Sequence, residues 1–251
     1  MTLHRFLKTA ALVWMLPAAC LFAQDDADVP TIRRPSIGVR FQYTLTRLFE
    51  TSSATASTTQ PIADYNYSGS SSSRGVVLTP NLEYRLTNKL SVGLEFQFHH
   101  AQYTQVTQIR TGKPDPNSPI DNRKVTTVTQ TTTASYWELP LLAHYYGLRR
   151  HGLLSRVYLS AGPVYRRVAN IRTGNTYQNA DGTTNYNEIP ATPDRTNQFG
   201  AVAGVGFRLV DDFRIKVMPE VRFTRWLNTT FHGPAYRSEV NQGTVGIGLS
   251  F

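Results

Sequence analysis

The final eight residues, TVGIGLSF (Thr244–Phe251), alternate without a break. Val245, Ile247, Leu249 and Phe251 are large and apolar, whereas Thr244, Gly246, Gly248 and Ser250 are small. Period two marks a strand whose two faces meet different surroundings. Chain ends ordinarily fray unless something ties them down. A regular strand that runs to the last residue and ends on an aromatic ring therefore needs a pairing partner at the very end of the chain.

Seven further segments show the same pattern. SIGVRFQYTL (36–45) sets Ile37, Val39, Phe41, Tyr43 and Leu45 on one face. VVLTPNLEYRL (76–86), LSVGLEFQF (90–98) and YWELPLLAHYY (136–146) follow, the second of these without a fault. RVYLSAGPVYR (156–166), FGAVAGVGFRL (199–209) and FRIKVMPEVRF (213–223) complete the set. Each is close to the roughly 9–11 residues with which a tilted strand crosses a bilayer core. Thr87–Lys89, Leu148–Leu153 and Asp211–Asp212 read as tight turns, and residues 50–74, 111–124, 173–195 and 227–239 as long polar loops. Short turns on one side and long loops on the other are the outer-membrane barrel pattern. A closed barrel has no free sheet edge, so the last strand must pair with the first, and the chain can end inside the wall. The expected fold is all-β: an eight-stranded antiparallel up-and-down transmembrane β-barrel with short periplasmic turns and long extracellular loops.

The N-terminus agrees. MTLHRFLKTAALVWMLPAACLFAQ carries His4, Arg5 and Lys8 before a short apolar stretch and small residues. This is the pattern of a secretory leader, too short to anchor. Cleavage after Ala23 divides the chain into a leader (1–23), a short periplasmic segment (24–35) and a barrel domain (36–251). Pro17 sits poorly in a lipobox, which argues against lipidation at Cys20. Cys20 is the chain's one cysteine, so the mature protein has no disulfide. Net charge falls from +9 to +7 when Arg5 and Lys8 leave with the leader. A basic surface suits anionic partners such as lipid phosphates.

The terminal T-x-G-Ile-x-Leu-x-Phe resembles the C-terminal signal by which outer-membrane barrels are recognised for assembly. Gly246, Ile247, Leu249 and Phe251 would carry it. With YWELPLLAHYYGL (136–148) and YLSAGPVYR (158–166), the chain resembles the OmpA-like and PorT-like family of small outer-membrane β-barrels over residues 36–251. That resemblance implies residence in the outer membrane, contact with its lipid and lipopolysaccharide, and insertion by the barrel-assembly machinery. It also allows a part in secretion or envelope assembly.

Pro80, Pro140, Pro163 and Pro219 fall inside predicted strands, where each should mark a bulge or break and shift the register. Alternation alone does not say which face points inward. A lipocalin-like barrel would turn the apolar set inward around a ligand, but the loop asymmetry and the aromatics near strand ends favour lipid outside. The interior then holds Arg40, Glu83, Glu95, Glu138, Glu220 and Arg222, together with Arg85, Arg166, Arg208, Arg214 and Lys216. Buried charges must be paired. We expect a salt-bridged structural plug in which Arg40 pairs with Glu83 and Glu95 joins them. Tyr103, Trp137 and Trp226 are expected in an upper aromatic girdle, and Tyr84, Tyr145, Phe213 and Phe251 in a lower one.

No cofactor, metal or catalytic set is expected. His99 and His100 are strand neighbours and point to opposite faces. GxG in AVAGVGF (201–207) has no following helix. The sequons at Asn66 and Asn228 are chance matches in a bacterial envelope, and basic patches interleaved with aromatics for nucleic acid are absent. YTQVTQIR (103–110) and KVTTVTQTTTAS (124–135) are polar but β-prone. They predict a ribbon that protrudes beyond the membrane and offers an edge to a protein partner by strand addition. The function that fits is non-catalytic: an integral outer-membrane protein with a structural or interaction role. A narrow small-solute pore and a lipid-modifying enzyme based on His100 are the alternatives.

Overall fold

The computed structural model describes residues 35–46, 49–59, 62–73, 76–118, 121–147, 155–190, 193–209 and 216–250. The leader, Cys20, the segment up to 34, the turns at Leu148–Leu153 and Asp211–Asp212, Phe213, Arg214 and Phe251 lie outside the described residues. The strands are β1 (Pro35–Thr44), β2 (Phe49–Thr51), β3 (Ser53–Thr59), β4 (Ile62–Ser73), β5 (Val76–Arg85), β6 (Leu90–Glu95), β7 (Gln97–Thr111) and β8 (Lys124–Tyr146). They continue as β9 (Val157–Gln178), β10 (Thr184–Ile189), β11 (Asn197–Phe207), β12 (Lys216–Trp226), β13 (His232–Gly233), β14 (Tyr236–Ser238) and β15 (Asn241–Ser250).

The antiparallel pairings return to their starting point. β1 pairs with β5, β5 with β6, β6 and β7 with β8, β8 with β9, β9 with β11, β11 with β12, β12 with β15, and β15 with β1. The C-terminal strand meets the first from Gly38↔Ser250 to Thr44↔Thr244, as its alternation requires. β6 and β7 lie end to end along β8, so the segment expected to alternate without fault is interrupted at Phe96.

The faces divide cleanly. Phe41 is 49% exposed and Leu82 and Ile247 are 50% exposed, whereas Arg40 and Glu95 are 1% exposed. The apolar set points out and the charged set points in, the reverse of a ligand-binding soluble barrel. Of the inward glycines of the terminal strand, Gly246 is required by space: a Cβ there would sit 2.8 Å from the Phe41 carbonyl oxygen and 3.0 Å from Gln42 Cγ, whereas one on Gly248 would make ordinary contact with the Arg40 guanidinium at 3.6 Å. Gly204 and Gly206 likewise leave room for Glu220, Arg222 and the Tyr158 ring.

None of the four prolines shifts a register, and two of them lie at gaps in a ladder. Pro140 lies where the β6–β8 ladder stops at Leu94↔Leu141 and the β7–β8 ladder resumes at Gln97↔Glu138, in unchanged register. Pro163 keeps its place opposite Ala201 on β11, while the β8–β9 ladder lapses between Pro140↔Val164 and Ala143↔Ala161. Pro80 and Pro219 hold continuous registers with β1 and β15. A missing N–H removes one bond but leaves the strand extended. The register shift falls instead between Ser135 and Tyr136, where Ala169 is the extra residue on β9.

The protruding ribbon is present: β7 and β8 stay paired out to Thr111↔Lys124. Its edges are not free, however. The segment read as a low-complexity loop folds into β3 and β4, and β4 covers β7 from Ala63↔Thr111 to Ser73↔Ala101. On the other side β9 follows β8 out to Thr127↔Gln178 and turns back as β10. Gly182, with φ +84°, makes that turn, donating to the Asn179 carbonyl at 3.0 Å. The open edges are therefore β3 and β10.

Candidate functional site

Stacked layers of side chains cross the interior, each positioned by inward-facing alternation. At the short-turn end Tyr146, Tyr158 and Met218 pack together. Here Glu83 accepts from the Tyr146 hydroxyl at 2.7 Å and from the Ser91 hydroxyl. The expected Arg40–Glu83 pair does not form, because Glu83 lies opposite Ser36 and Arg40 lies opposite Thr79. Four residues of strand separate them, roughly 13 Å.

Arg40 instead enters the central layer. Its guanidinium bonds Glu220 and lies 3.3 Å from Glu95. Arg222 clasps Glu95 with both terminal nitrogens, at 2.6 and 2.7 Å, and donates from Nε to Glu220 at 2.8 Å. The Tyr158 hydroxyl at 3.0 Å and Ser160 also donate to Glu220, and Gln97 donates to Glu95 at 3.2 Å. Two arginines against two glutamates cancel, and all four carboxylate oxygens are hydrogen-bonded, while buried Arg40 Nε makes no hydrogen bond and is held by charge alone.

The third layer holds one more neutral pair. Arg166 bonds Glu138 at 2.6 and 2.7 Å and Gln242 at 2.8 Å. It also stacks 3.7 Å from the ring centre of Trp226, whose Nε1 donates to Gln242 at 3.0 Å. His99 Nε2 lies 3.5 Å from Glu138. Trp226 is thus an interior residue and does not join a girdle. It shares the parity of Glu220 and Arg222, the signal by which sequence could have placed it. A cavity of about 20 Å³, lined by Gln42, Gln97, His99, Glu138, Arg222 and Gln242 among others, separates these two layers. That is space for about one water.

An apolar layer of Phe49, Ala101, Tyr103, Ala134, Tyr136, Val168 and Phe231 lies above. Tyr103, expected in the girdle, stacks on Tyr236 at 4.0 Å inside this layer. β2, β13 and β14 form a small sheet whose Phe49 and Tyr236, with Phe231 just before β13, pack into this layer. Sequence reading missed this cap, because its strands are two or three residues long. Trp137 does lie on the outer face, 4.5 Å from Phe96 and 4.8 Å from Phe98 between ring centres.

At the far tip, Arg123 joins two strand pairs. It bonds Asp121 at 2.8 and 2.9 Å and also Asp64 of β4. These hydrogen bonds hold the Asp121 carboxyl down to about 2. The Ser57 hydroxyl, and then Arg123, depress Asp64. Among the described residues no group of three or more His, Cys, Asp or Glu side chains is placed to hold a metal.

Two outcomes follow. Glu220→Gln leaves Arg40 and Arg222 short of one countercharge, and is expected to cost about 3–5 kcal/mol of stability, read as a lower urea midpoint in micelles. Because the folded pKa values of Asp121 and Asp64 are depressed, the tip clamp is fully present above the unfolded carboxylate pKa of about 4 and is lost as pH falls toward 2. Protection factors of the amides of residues 62–66 and 121–125, taken relative to the intrinsic exchange rate at each pH, are expected to fall over that window. Unchanged protection at pH 2 would show that Arg123 does not hold the tip.

A family model described as "Outer membrane protein beta-barrel domain" matches residues 22–232. No curated protein matches the chain. Among solved structures, Neisserial surface protein A is 9% identical with a TM-score of 0.36, over 86% of this chain and 95% of that one. The outer membrane protein AlkL is 14% identical with a TM-score of 0.40, over 91% and 94%. The Escherichia coli outer membrane protease OmpT is 9% identical with a TM-score of 0.30, over 90% and 99%. With a lipid-facing apolar wall, a charged interior and a family match over most of its length, the chain belongs to the outer membrane protein beta-barrel domain family.

Proposed function

We infer that this outer-membrane protein is an eight-stranded up-and-down transmembrane barrel with a non-catalytic, structural or interaction role. Its wall runs β1, β5, β6 with β7, β8, β9, β11, β12 and β15, behind a cleaved leader. Short turns face the periplasm and the extension faces outward. The observation that carries this reading is the filled interior. Arg40, Glu95, Glu220 and Arg222 are each at most 4% exposed, and an apolar layer lies above them. A barrel of this size is only just wide enough for its own side chains. The six acidic and basic residues Arg40, Glu83, Glu95, Glu138, Glu220 and Arg222 act in it as a structural network. Gly246, Ile247 and Leu249, with Phe251, act as the assembly signal read by the barrel-assembly machinery. A protein partner adds to the extension at the open edges β3 and β10.

Purified protein, shown to be folded by the different gel mobility of boiled and unboiled samples, is expected to pass no current in a planar bilayer. Discrete openings that change in Glu95→Gln would replace this reading with the narrow pore.

One observation favours a second reading. His100 Nδ1 lies 3.2 Å from Ser135 Oγ on the outward side of the wall, a base beside a hydroxyl. A working nucleophile needs a third group to orient the base, and no ion pair holds His100 among the described residues. Overexpression is therefore expected to leave membrane lipid acylation unchanged. Altered lipid mass spectra, lost in His100→Ala, would establish the enzyme instead.

A further inference from the structure

A cavity lies beside the apolar layer, between the extension and the cap. It holds about 180 Å³, the share of roughly six waters. Gln130 of β8 and Thr173 of β9 form its floor, beside Tyr103 of β7. Ile189 of β10, Pro190 and Asp194 supply one wall. The cap supplies the other, through Phe231, His232 and Tyr236. Asp194 is tied to the cap segment by its backbone N–H, which donates to the Thr230 carbonyl at 2.9 Å. Pro190, Asp194 and His232 are exposed, so the cavity opens to solvent, whereas Tyr103, Thr173 and Phe231 are buried at its base.

The floor belongs to a row of amides. Gln105, Gln130, Asn175 and Asn187 stand opposite one another on β7, β8, β9 and β10. Directly opposed residues share one face of a sheet. The extra residue Ala169 brings β9 into this row, because it reverses the parity of the strand: Thr173 and Asn175 turn inward and Arg172 turns out. Gln105 and Asn175 are 7% and 6% exposed. Gln105 gives its amino group to Thr107 Oγ1 at 3.4 Å, and Asn175 gives its own to the Tyr177 hydroxyl at 3.3 Å. Both leave a buried carbonyl oxygen without a partner. Gln130 stands between them, and its amide makes no hydrogen bond among the described residues. Buried polar atoms of this kind call for a partner.

We propose that this cavity binds a neutral hexopyranose unit, either free or at the end of a glycan chain. A sugar hydroxyl is a donor and an acceptor at once. The amide row matches it in both senses, since half a turn of either flanking amide exchanges its carbonyl for its amino group while the Thr107 or Tyr177 hydroxyl reverses its role. The Asp194 carboxylate offers two acceptor oxygens to two neighbouring hydroxyls. Ile189 and Pro190 meet the C–H surface of the ring. Other ligand classes fit less well. Tyr103 and Tyr236 stack on each other at 4.0 Å, and Gly233 lies so close to the Tyr236 ring that no Cβ fits between them. No pair of ring faces is therefore free to sandwich a flat base or to cage an ammonium group. An anion would meet Asp194, and an apolar chain would leave the amides unpaired.

The test uses the full chain in amphipol, shown to be folded by its gel mobility, with glucose, galactose, mannose and choline as probes and saturation-transfer NMR as the readout. At least one hexose is expected to receive saturation, and choline none. Asp194→Asn is expected to weaken that hexose roughly tenfold or more, because it removes a charged acceptor. Gln130→Ala, on a different strand, is expected to weaken it about fivefold. Glu188→Gln is expected to bind as wild type does, since Glu188 stands opposite Gly174 and faces away from the cavity. A trisaccharide that ends in the same hexose tells the sources apart: much tighter binding assigns a glycan end, and equal binding assigns the free sugar. Transfer to no hexose, or to choline alone, overturns the proposal. So does unchanged binding by Asp194→Asn, and if that variant fails to fold, unchanged binding by Gln130→Ala is equally fatal.

Discussion

The structure depends on the double pairing of β15, with β12 on one side and β1 on the other. In lipid no water is available to satisfy a backbone N–H or carbonyl, and each one left unpaired costs several kcal/mol. A sheet in a bilayer must therefore close, and the strand that closes it is made of the chain's last described residues. The alternation of that strand follows from the closure. Its large residues face lipid, and its glycines face an interior already filled by the Arg40 side chain and the glutamates it meets.

Charge in that interior is balanced layer by layer. The central layer sets two arginines against two glutamates, and the layer above sets Arg166 against Glu138. Desolvating an ion is tolerable only when countercharge and hydrogen bonds are both at hand. Tyr158, Ser160, Gln97 and Gln242 supply the bonds. The cap of β2, β13 and β14 then shields the upper charged layer with an apolar one. The result is a wall with a packed core, which directs attention to the outer face and the extension as the surfaces that meet other molecules.

The extension follows different physics from the wall. It is rich in Thr, Ser, Asn and Gln on both of its faces. Its strands hold together through ladders six strands wide, through Thr132–Thr173 hydroxyl contact at 2.7 Å, and through the Arg123 clamp at the tip. β-Branched threonine suits such a pleated, half-exposed surface.

Sequence by itself determined the strands of the wall, their inward and outward faces, the closure of last on first, and the ribbon of β7 and β8. All of these follow from local periodicity, which a sequence displays directly. Tertiary structure decided what depends on register and on distant partners. Arg40 and Glu83 share a face on adjacent strands, yet four residues of stagger send Arg40 to Glu95 and Glu220. Trp226 and Tyr103 share the inward parity of Arg222 and His99, and tertiary structure supplied their partners there, the Arg166 guanidinium for one and the apolar cap for the other. Ser-rich residues 62–73 became a strand only because β7 offered an edge to pair with. One extra residue at Ala169 turned Arg172 outward. Alternation tells each side chain which way to point, and only the stagger of neighbouring strands tells it whom it will meet.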